Sequence, residues 1–305
     1  MNSNTINDFP KMEDLKYKDN NLYIFDVNNW SIPFNINKSN SFTKEEIENV
    51  FNFAFQGKSN HRDYRSGGIE IRNDIKKFFN IFLGKLGEIA TYNNLVEKGV
   101  KLKNYIDYEV RNKGNWDDCD LVTINDKKIS VKSSKSYSNM MLLEKKDYNG
   151  KGQLIYNIGT NKTFDFDYFT YVRIAPTLNN QVIFEGYGQN YKFNNLEELE
   201  KELKEFVFKY NWVYEEPFII TKDKFVNTVI ANDYYIKQRF LVKFDKYCNV
   251  LFNLSLKNKT EEQINDYIER IFNSKATSFV LDADNYYFPL KYMNRIEELL
   301  IDKKL

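Results

Sequence analysis

Histidine occurs once in the 305 residues, at His61. Zinc sites built on several histidines and H-E-x-x-H metalloprotease helices are therefore excluded. A Ser-His-Asp scheme would have to use that one imidazole, and no G-x-S-x-G stretch supplies its serine. The two cysteines, Cys119 and Cys248, make neither a disulfide framework nor a metal-binding pair, which points to a reducing, cytoplasmic setting. No apolar run approaches the ~18 residues a membrane helix needs. The opening "MNSNTINDFPKMEDLK" has neither the basic start nor the apolar centre of a signal peptide. No G-x-x-x-x-G-K-[ST] loop is present, so ATP is not an expected substrate.

The chain also lacks a dominant charge: the formal net charge is +1. A nucleic-acid partner would need local basic patches rather than a basic whole. Two such patches exist. Residues 57–77 hold six Lys/Arg against three Asp/Glu, and residues 127–147 hold six Lys against two acids. Either one alone reads as a solvated charged surface.

What is present is ordered periodicity. Residues 1 to about 40 are polar and irregular and read as an arm packed on the main body. "SFTKEEIENVFNFAF" begins a helix, with Thr43 and Glu46 as a capping box and Ile47, Val50, Phe51 and Ala54 on one face. A basic loop, "QGKSNHRDYRSGG", follows. The spacing then predicts a helix over about 74–98, with Ile75, Phe79, Phe82, Leu86 and Ala90 on one side and Gly99 as its C-cap. Its other side carries Gly84, Gly87, Glu88, Thr91 and Leu95. Each glycine costs a helix interior ~1 kcal/mol relative to alanine, so that face is read as built for close approach to another element.

Downstream, "YIDYEV" (105–110) reads as a strand. "DLVTI" (120–124) and "KKISV" (127–131), separated by Asn125 and Asp126, read as a hairpin. "FDYFTYVRIAP" (166–176) is a further strand stopped by Pro176, and "QVIFEGYG" (181–188) pairs with it. Past about 190 come an amphipathic helix in "NNLEELEKELKEFVFKY", strands in "EPFIIT" and "FLVKF", a helix in "TEEQINDYIERIF" capped by Thr260 and Gln263, and a helical end in "MNRIEELLI". The expected class is α/β (α+β), a mixed central sheet flanked by helices. Residues 1–190 would hold the main domain (core about 43–176), and 191–305 a further mixed α/β region.

The chemistry gathers in the hairpin. Alternation along a strand puts Asp118 and Asp120 on one face, and Ser130 and Lys132 on one face. Pairing of the two strands lets Asp120 and Lys132 converge at the hairpin's open end, and Glu88 can approach from the small-residue helix face. Two carboxylates beside an ammonium suit a hard divalent cation. Mg²⁺ takes oxygen ligands, keeps several waters and uses one or two protein carboxylates. Asp117 and Asp118 are reserves for Asp120.

"GKLGEIATYNNL", "DDCDLVTI" and "ISVKSSK" together resemble the PD-(D/E)xK nuclease superfamily, and within it the type II restriction endonucleases. The resemblance covers roughly residues 57–176. It implies a restriction-endonuclease-like core and a catalytic set of Glu88, Asp120 and Lys132. It also implies a metal site made by Glu88, Asp120 and the main-chain carbonyl of Val131. One departure stands out: the acid two residues before the lysine is Ser130, so Glu88 supplies the missing carboxylate or the metal site is degraded. The loop "HRDYRSGG" would lie near the substrate, with Arg62 and Arg65 gripping the DNA backbone. Ser133, Ser134 and Lys135 would contact a phosphate. His61 is a weaker candidate for proton transfer.

These expectations amount to a Mg²⁺-dependent endonuclease cutting double-stranded DNA at a short site. Because palindromic sites mirror two-fold symmetry, a homodimer is expected. The alternatives are a structure-selective, repair or RNA-directed nuclease of the same fold, and a non-catalytic DNA-binding module.

Overall fold

The structure, a computed structural model, describes residues 15–18, 21–24, 32–58, 74–110, 119–144, 147–149, 151–155, 163–183, 195–226, 240–244, 277–281, 285–290 and 293–297. Arg62, Arg65, His61, Asp117, Asp118 and the helix expected over 260–272 lie outside the described residues.

A mixed eight-stranded sheet forms the centre. Its strands are β1 (Asn40–Ser41), β2 (Leu121–Val122), β3 (Lys128–Lys135), β4 (Tyr168–Leu178), β5 (Gln181–Val182), β6 (Asn211–Tyr214), β7 (Phe218–Thr221) and β8 (Asn294–Arg295). Three helices, α1 (Lys44–Gly57), α2 (Asp74–Glu97) and α3 (Leu196–Lys209), build the core of one face. β4 is the axis. Along one edge it pairs in parallel with β3, from Ile129↔Tyr168 to Lys135↔Ile174, and then antiparallel with β5. Along the other edge run β7 and then β6, both antiparallel. β2 pairs antiparallel with β3. α3, β6, β7 and β8 come from the chain beyond residue 190, so the sheet does not end at that position.

The two faces of β4 hold different cores because its side chains alternate. Val172 and Ile174 join α1, α2 and α3 in one cluster with Phe78, Phe82, Leu86 and Trp212. Each such side chain, fully buried, is worth about 1.5–3 kcal/mol. Phe169 and Tyr171 face the other way, into a cluster with Tyr148, Phe218, Phe225 and Phe288.

Several local signals act as read. Thr43 Oγ1 accepts the Glu46 N–H at 3.1 Å and Glu46 Oε2 accepts the Thr43 N–H at 2.7 Å, a complete capping box on α1. Gly99 ends α2 at φ +82°, the left-handed conformation that suits glycine. Three readings need correction. Residues 105–110 form no strand. β4 does not stop at Pro176 but runs through it to Leu178. The Pro176 carbonyl accepts from Ile183 N–H just past the end of β5, so the ring nitrogen faces the same side and the ladder forgoes only the reciprocal bond of that last pair. Asn294 and Arg295, expected in a helix, pair with β7.

Candidate active site

α2 lies directly on β3, and one missing side chain permits the contact. A Cβ on Gly87 would sit 2.7 Å from Ser133 Cβ, 3.2 Å from its Oγ and 3.6 Å from Val131 Cγ1. Nothing lies within 4 Å of a Cβ built on Gly84, so the close approach belongs to Gly87 alone. One residue on, Glu88 is carried beside β3. Its Oε2 pairs with Lys85 Nζ at 2.6 Å, and Lys85, itself buried, rests over the Phe53 ring of α1. Tyr108 stands near: burial holds its phenol above the ordinary value, and the charges of Glu46, Glu88 and Glu45 add to the shift.

Asp120 sits immediately before β2, half-buried. Its Oδ2 accepts the Val131 N–H at 2.6 Å. That N–H therefore points away from β4, toward the β2 edge. In an extended strand the N–H and C=O of one residue share a side, so the Val131 carbonyl faces the same edge. An aspartate carboxylate and a main-chain carbonyl thus flank one stretch of β3. Burial keeps the nearby Tyr148 phenol protonated well above its ordinary range, and the charges of Asp147 and Asp120 act in the same direction.

Lys132 belongs to the opposite face of β3. Val131 and Ser133 meet α2, so Ser130, Lys132 and Ser134 point away from it. Ser130 is buried, 2% exposed, and Lys132 is half-buried. Lys132 and the helix that carries Glu88 therefore lie on opposite faces of β3. Among the described residues, no hydrogen bond or ion pair joins Lys132 to Glu88 or to Asp120. Residues 133–135 continue the strand, so they also alternate. Ser133 faces α2, whereas Ser134 lies with Tyr171, whose hydroxyl donates to Ser138 Oγ at 2.7 Å. Lys135 Nζ lies 6.0 Å from the centroid of the Tyr137 ring.

Sequence reasoning missed the polar cluster on the Lys132 side of the sheet. Arg173 donates through Nε and Nη2 to Glu215 Oε2, at 2.9 and 2.5 Å. Nη1 reaches the Ile32 carbonyl at 2.6 Å and Asn139 Oδ1 at 3.2 Å. Glu215 Oε1 accepts the Asn35 N–H at 2.5 Å. One ion pair, its side chains 0% and 6% exposed, so fastens the segment 32–35 to the sheet.

Asp120 and the Val131 carbonyl are hard oxygen donors on one edge, which fits Mg²⁺. Among the described residues no group of three His, Cys, Asp or Glu side chains could hold a metal ion, so water would complete any such site. No helix among the described residues is long and apolar enough to cross a membrane. No family model matches the sequence, and no curated protein or solved structure matches it either.

Proposed function

We propose that this chain is a Mg²⁺-dependent endonuclease that hydrolyses phosphodiester bonds of double-stranded DNA at a short specific sequence, in the manner of the type II restriction enzymes its motifs resemble. The observation that carries the reading is the edge of β3, where the Asp120 carboxylate is held against Val131 N–H and the Val131 carbonyl faces the same way. Asp120 and that carbonyl would hold the cation, with Glu88 approaching from α2. Bound there, Mg²⁺ would polarise a phosphoryl oxygen and lower the pKa of a water. Lys132 would offset the negative charge that develops on the phosphoryl group. The pairing with Lys85 fixes one of the Glu88 oxygens. Two copies would act on a two-fold site.

Digestion of plasmid DNA, single-stranded DNA and RNA by the purified protein in Mg²⁺, followed by run-off sequencing, tests this. Discrete plasmid fragments are the expected result. A smear, or preference for RNA, would replace the site-specific reading with a less selective nuclease. A second reading has its own observation: buried Ser130 stands where the superfamily carries an acid. That favours a DNA-binding module without catalysis, which would bind DNA yet leave it uncut in both Mg²⁺ and Mn²⁺.

A further inference from the structure

The way Asp120 is held implicates a residue that no motif picks out. Segment 101–104 runs antiparallel to 120–124. Ile124 N–H donates to the Lys101 carbonyl at 2.7 Å, and Lys103 N–H to the Val122 carbonyl at 2.8 Å. The next rung is made by a side chain. Asn104 Oδ1 accepts the Val122 N–H at 2.7 Å, and its Nδ2 donates to the Asp120 carbonyl at 3.0 Å. A carboxamide has the donor and acceptor of a peptide unit, so it replaces the main chain for one rung. The main chain is then free to leave the sheet, and it does: Tyr105 is 81% exposed, and the Asp107 carboxylate turns back onto Glu109 N–H at 2.8 Å.

The consequence falls on Asp120. Its carbonyl is satisfied by Asn104 and its carboxylate by Val131 N–H, so both ends of the residue are fixed. We propose that Asn104 is a positioning residue for the Asp120 carboxylate, fixing the main chain of Asp120 so that its carboxylate stays beside the Val131 carbonyl as a ligand for a divalent cation. This inference rests on the nuclease reading and deepens it.

The test is Mn²⁺ binding to the full-length protein, followed by the electron paramagnetic resonance of the free ion, beside thermal melting. Asn104→Ala is expected to weaken Mn²⁺ binding about tenfold, the cost of roughly one hydrogen bond of 1.4 kcal/mol, in a protein that still melts cooperatively. Asn104→Leu keeps the volume and removes both bonds, and takes over the measurement should the alanine variant not fold. Binding within twofold of wild type in either folded variant overturns the assignment and leaves the nuclease reading standing. Failure of both variants to fold overturns it too, since Asn104 would then serve the fold alone. A wild-type protein that binds no Mn²⁺ overturns the metal site itself, and the inference with it.

Discussion

Gly87 and Ser133 touch so closely that the glycine's missing Cβ would lie 2.7 Å from the serine's. Ser133 Cβ is fixed to a paired strand and cannot swing aside. Gly87→Ala therefore forces α2 off β3. Overpacking of this kind costs about 1–3 kcal/mol, more than the ~1 kcal/mol that alanine returns in helix propensity. Gly84→Ala meets nothing within 4 Å and is expected to stabilise by about 0.5–1 kcal/mol. Urea unfolding of the two variants should move in opposite directions. Equal shifts would show that Gly87 is not a packing glycine.

The Arg173–Glu215 pair is expected to be the most costly polar contact to break. Its guanidinium is fully buried and bonded to a carboxylate, two backbone carbonyls and Asn139. Arg173→Met would leave the Glu215 charge uncompensated, a loss of about 3–5 kcal/mol. Arg173→Met with Glu215→Gln removes the orphaned charge and retains an oxygen for Asn35 N–H, so it should recover part of the loss. Denaturant melts of the single and double variants measure this, and a double variant less stable than the single one would contradict the account.

How much of this was legible in the sequence depended on whether a signal was local. The α1 capping box, the length of α2 and its glycine stop follow from neighbours within one or two turns, and all are present. The strand expected at 105–110 failed because alternation is only half of what a strand needs. Among the described residues the ladder ends at residue 103, where Asn104 closes it with its side chain. Arg173 was opaque for the opposite reason. Lying between Val172 and Ile174, it gives the polar–apolar alternation of a solvated sheet face, yet residues 32–35 and Glu215 cover that face. Of the candidate site, the Gly87 contact was foreseen, but not the two-sided approach to β3. Alternation put Ser130 and Lys132 on one face, but which face of β3 meets α2 is set by tertiary packing at Gly87, which no local pattern encodes.

Stability should fall on the alkaline side, with Tyr148 as a principal cause. In the unfolded chain its phenol ionises near the ordinary value of ~10. In the fold, burial, aided by the charges of Asp147 and Asp120, keeps it protonated well above that. The folded state thus holds the proton more tightly. The stability linked to it is complete below pH ~10 and is lost as the pH rises from there toward the folded value. Urea melts between pH 8 and 11 should show that decline, and Tyr148→Phe should flatten it. An unchanged slope in the variant would remove Tyr148 from the cause.

Asp120→Asn separates chemistry from architecture. The amide can still accept the Val131 N–H through Oδ1, and the Asp120 carbonyl bond to Asn104 does not involve the side chain. The fold should therefore survive within about 0.5 kcal/mol, the range of substitutions that break no buried feature. What is lost is the negative charge beside the Val131 carbonyl. Cleavage of plasmid DNA in Mg²⁺ is expected to drop by about 10²–10³ or more, the scale of removing one electrostatic contact in a transition state. Lys132→Ala should do the same, its half-buried ammonium having no ion pair among the described residues to give up. Groups that act as one unit are not additive, so the double variant should be scarcely slower than either single one. If the two losses instead multiply, Asp120 and Lys132 contribute independently, and the shared site at the β3 edge is wrong. Should Asp120→Asn cut at the wild-type rate, the carboxylate has only the role of holding Val131 N–H.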